Sequence, residues 1–204
     1  MPCVIDYPRV LERMREQGFQ CLYHNSGAFG FPAKVTTQSL AWIGPADATI
    51  KPGAMALVRS VPPPYAKNLA DLAARAWREW LPGRVWAMPK SHWAYELEFG
   101  SRDWMPELLE SIGMDPALLA PRNNAAAIEF DLTEIEPFRV FVEQLLQNLR
   151  GSDFLLAFPG RGTICTIHSH QQLWWTTGSG DIAAGLERMV HHGDTENTEK
   201  KEEN

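Results

Sequence analysis

Apolar residues recur along this chain at two periods. A spacing of three to four marks amphipathic helices, and a spacing of two marks half-buried strands. Val10, Leu11 and Met14, set against Arg9, Glu12, Arg13, Arg15 and Glu16, predict a first helix over 7–17, capped by Asp6 and stopped by Gly18. Strands are expected over 19–24 and 35–43, joined by a turn-rich loop at 25–32. A strand over 55–61 then leads to a helix over 66–81, where Leu69, Leu72, Ala73, Ala76, Trp77 and Trp80 share a side. Further strands are expected over 84–88 and 92–99. In the second of these, Trp93, Tyr95, Leu97 and Phe99 alternate with His92, Glu96 and Glu98. A short helix is expected over 103–112.

The order then recurs. A strand over 126–132 precedes a helix to about 149, with Thr133 as cap and Glu136 at capping-box spacing. Strands follow over 152–158, 163–168 and 173–177, then a short helix over 181–191. The predicted fold class is α+β: an N-terminal helix plus β-hairpin (6–44), then two β-α-β-β units (54–113 and 125–190) with a short helix after each. The offset of about 70 residues suggests internal duplication, with Met88-Pro89 opposite Phe158-Pro159. Residues 1–191 are expected to form one domain, its ligand groove between the halves, and 192–204 a disordered acidic tail.

Composition narrows the function. Of 204 residues 45% are hydrophobic, which excludes disorder of the whole chain, and no run approaches the ~20 apolar residues of a membrane span. Nineteen basic residues against 25 acidic ones, and those basic residues scattered, argue against a nucleic-acid partner. Three unpaired-looking cysteines and a start without basic or apolar leader regions point to the cytoplasm. Eight tryptophans are an excess that suits a binding surface as well as a core.

Candidate chemistry lies in three places. Trp93, Tyr95, Glu96, Trp174 and Trp175 are expected to line an aromatic groove for a small molecule or a protein partner. His168 and His170, two apart on a strand, share a face and suit a metal. Cys165 with those histidines offers an alternative, hydrolase-type enzyme, although its parity sends it to the opposite face. The glycines of 27–30 and Arg161 in the 159–162 turn are weaker anion candidates. The expected function is thus a binding or interaction module. No cofactor is indicated, and self-association is open.

Overall fold

The computed structural model describes residues 1–23, 26–45, 57–119 and 126–199, the side chains of 191–199 excepted. The beginning of the strand expected at 55–61, most of the loop before it and the end of the acidic tail lie outside these residues. The elements run β1 (Cys3–Ile5), α1 (Tyr7–Glu16), β2 (Gln20–Cys21), β3 (Phe29–Gly30), β4 (Gln38–Ile43), β5 (Leu57–Ser60), α2 (Tyr65–Glu79) and β6 (Val85–Pro89). Next come α3 (Trp93–Tyr95), continued as a π-helix over Glu96–Gly100, α4 (Met105–Ser111), β7 (Ala127–Phe130) and α5 (Ile135–Asn148). The chain ends with β8 (Phe154–Phe158), β9 (Thr163–His168), β10 (Gln172–Thr177) and α6 (Gly180–Glu199).

The fold is α+β, built on one mixed sheet of order β1-β7-β6-β8-β9-β10-β4-β5 among the described residues. All neighbours pair antiparallel except β4 and β5. Helices α2, α4, α5 and α6 bury their apolar sides on one face, against Trp42, Phe130, Phe154, Phe158, Cys165 and Trp175. Helix α1 covers part of the other face, over Trp86, Met88, Leu155, Ala157 and Ile164. Aromatic pairs join the layers: Trp77 meets Phe138 at 4.7 Å between ring centroids, and Trp175 meets Trp42 at 5.0 Å.

Local signals explain much of this. The Asp6 side chain accepts from Arg9 N at 3.0 Å and starts α1, and Gly18, at φ +80°, takes the left-handed turn that ends it. The capping box lies two residues earlier than expected. Asp131 accepts from Thr133 N at 2.8 Å, and Glu134 accepts from Asp131 N at 2.9 Å, so Thr133 is not the cap.

Three expectations need correction, and one strand was not expected. Residues 92–99 are helical, not a strand, so the first unit is only strand–helix–strand (β5-α2-β6). The N-terminal hairpin forms between β2 and β3, whereas β4 enters the main sheet between β10 and β5. Strand β1 pairs with β7 and went unforeseen. Helix α6 extends to Glu199, past the expected end at 191, so the tail is helical over 192–199. The two crossovers differ in span, β5 to β6 passing over four strands and β7 to β8 over one. Strand β5 runs parallel to β6, and β7 parallel to β8, with α2 and α5 on one face. A half-turn about the sheet normal therefore relates their directions.

Candidate functional site

The β6–β8–β9 register carries three unlike side chains into one row. Pro89 pairs with Phe154, and Phe154 with Ile167. One step beyond, Lys90, Asp153 and His168 lie abreast, and Lys90 N donates to Asp153 O at 2.9 Å. Residues directly opposite on a pleated sheet share a face. This is the face away from α2 and α5, since Phe154 and Ile167 point toward them. Lys90 Nζ lies 3.7 Å from Asp153 Oδ2, and His168 Nε2 lies 3.5 Å from Asp153 Oδ1.

A cleft of about 610 Å³ opens over this row. Ser91 and Tyr95 form one wall, Gly151 and Ser152 another, and Ser169 and His170 the third. Tyr95 is 48% exposed and stands at the mouth beside Phe99, ring centroids 6.3 Å apart.

Behind the serines sits Glu96, wholly buried. Its Oε1 accepts from Ser91 Oγ at 2.8 Å, and its Oε2 accepts from Ser101 Oγ at 2.7 Å and Ser152 Oγ at 3.2 Å. The π-turn makes this possible: Ser101 N reaches back five residues to Glu96 O at 2.9 Å. Because Ser91 and Ser152 commit their protons inward, each presents oxygen lone pairs to the cleft.

His168 stacks on Trp174, centroids 4.7 Å apart, and beneath His170 at 5.7 Å with planes 20° apart. Burial holds its imidazole below the ordinary value, His170 and Lys90 adding to the depression and Asp153 opposing it. The ring is therefore neutral near pH 7. Its Nε2 faces Asp153, and its Nδ1 is buried without a partner among the described residues.

The expected site residues divide. Tyr95, Glu96, Trp174, His168 and His170 gather at or behind the cleft. Trp93 and Trp175 do not: both are core side chains, Trp93 edge-on to Phe154 and Trp175 stacked on Phe158. Cys165 is buried on the helical face, where burial pushes its thiol well up, and it does not meet His168 or His170. Among the described residues, no three His, Cys, Asp or Glu side chains are grouped to hold a metal ion.

Lys90, Asp153 and the serines were not singled out from sequence. Lys90, Asp153 and Ser152 become neighbours only through strand register, which no local pattern carries, whereas Ser91 and Ser101 lie close to Glu96 in sequence, Ser101 reaching it through the π-turn. No family model, curated protein or solved structure matches the chain.

Proposed function

We propose that this protein is a binding module that holds a small polar ligand, rich in hydroxyl or amino groups, in the cleft over Lys90, Asp153 and His168. The observation that carries this reading is Glu96. A buried carboxylate without a cation is costly unless its hydrogen bonds are satisfied. Here three serine hydroxyls satisfy it, and two of them belong to the cleft wall. The result is a pair of fixed acceptors beside the Asp153 carboxylate, with Lys90 Nζ as a donor. Tyr95 supplies a flat apolar surface at the mouth, as sites for small polar molecules require.

Two features count against the chemistry considered for His168 and Cys165. A general base must offer a reachable lone pair, and the free Nδ1 of His168 is sealed from solvent. The thiol considered as a nucleophile is on the other side of the sheet. No helix among the described residues is long and apolar enough to cross a membrane. Free thiols at Cys3, Cys21 and Cys165 support a cytoplasmic setting.

A thermal-shift survey of small sugars, amino acids and amines tests the reading. A ligand that binds only the folded state raises Tm, and Asp153→Asn should abolish the rise. A survey without a binder, or a rise that Asp153→Asn leaves intact, contradicts it.

A further inference from the structure

At the other end of β6 and β8 lies a second cleft, of about 480 Å³ and different chemistry. Arg9, Arg13 and Gln17 line it from α1 and the residue after it, spaced i, i+4, i+8 along one stripe. The acids of that helix, Glu12 and Glu16, do not line it. Arg84 enters from the start of β6, and the Pro159–Gly160 turn closes the end.

The floor is built. Glu129, 8% exposed, accepts from Trp86 Nε1 at 2.8 Å on one oxygen and from Arg84 Nη1 on the other. Cys3 Sγ also approaches that second oxygen, at 3.8 Å. Arg84 is thus held by one nitrogen, and its other N–H groups have no partner among the described residues. Arg13 has an exposed pairing to Glu16 at 3.0 Å, of the kind that exchanges readily. The Arg9 side chain has no partner among the described residues. Among the residues lining the cleft, three guanidiniums stand against one carboxylate, an excess of two positive charges there, the Glu16 partner of Arg13 lying outside the lining.

From this we infer a second binding site, for the phosphate group of a small molecule. A doubly charged oxyanion matches the excess charge, and guanidinium forks match its oxygens. On the outer side of α1, Asp6, Glu12 and Glu16 alternate with Arg9, Arg13 and Arg15, so the surplus of arginine over acid is confined to the cleft. Arg161, the anion contact suggested by sequence, does not line this cleft; its Nε donates to Pro82 O at 3.1 Å.

The test is an NMR titration of the full chain with inorganic phosphate, at a pH where it is doubly charged, reading the Trp86 indole N–H. That resonance is assigned with Trp86→Phe. A saturable shift is expected, weakened about tenfold or more by the double variant Arg9→Gln/Arg13→Gln, on an exposed helix face where folding is unaffected. Acetate, with a single charge, should bind more weakly by a similar factor. Absence of a saturable shift, equal response to acetate, an unchanged response in the double variant, or shifts confined to 151–153 and 168–170 would each overturn the inference.

Discussion

Glu96 meets no cation among the described residues, so its three serine donors carry the whole burden of burial. Glu96→Ala should therefore destabilise the fold by about 2 kcal/mol, because Ser101 loses its acceptor inside the protein. Glu96→Gln should be milder, since hydroxyls can rotate to accept from an amide; urea unfolding compares the two. His168 gives a second residue-level expectation. Burial depresses its folded-state value below the ordinary 6.5. Between the two values the unfolded chain binds more protons, so stability falls as pH drops through that window and levels off below it. His168→Gln should lack this part of the slope in unfolding curves taken from about pH 7.5 to about 5. Glu96 was legible as a candidate from its aromatic neighbours, but its partners were not, because Ser101 and Ser152 reach it through a π-turn and a distant loop.

The adjacent tryptophans show how far pattern reaches at the level of elements. Strand alternation separates Trp174 from Trp175 correctly, yet parity alone does not say which one is in the core. Trp175 packs between Trp42 and Phe158, whereas Trp174 lies half-buried on His168. Trp175→Ala should cost about 3–5 kcal/mol and Trp174→Ala less than about 1 kcal/mol by chemical denaturation. Helices α1, α2 and α5 were legible because each carries one clear period, and β8 because its short apolar run, Phe154–Phe158, is bounded by turn residues. Segment 92–99 was not. Its alternating aromatics are also i, i+4 pairs, Trp93 with Leu97 and Tyr95 with Phe99, so the pattern satisfies both periods. Burial of Trp93 and Glu96 on one side is what the helix achieves. Helix α6 carries its own constraint. A Cβ at Gly185 would stand 2.3 Å from the Trp80 ring, which Arg188 also covers at 5.4 Å. Gly185→Ala should lower stability by roughly 1–3 kcal/mol, readable as a drop in Tm.

Across the whole molecule, one sheet supplies both clefts, one beyond each end of β6 and β8. Sequence reading left the two halves either packed together or merged in one sheet, with the ligand groove between them. The strands of both halves instead interleave in one continuous sheet, β6 of the first lying between β7 and β8 of the second and β5 at the far edge, and the clefts form where strands end and loops converge. Only long-range register brings Lys90 beside Asp153, 63 positions away in sequence and adjacent in the sheet. The most direct test of the central claim is a backbone-amide NMR titration with the mixed sugars, amino acids and amines of the survey. Saturable shifts should cluster at 90–91, 151–153 and 168–170 and spare α2 and α5. Saturable shifts that avoid those three segments, or none with any compound, would contradict the polar cleft as the ligand site.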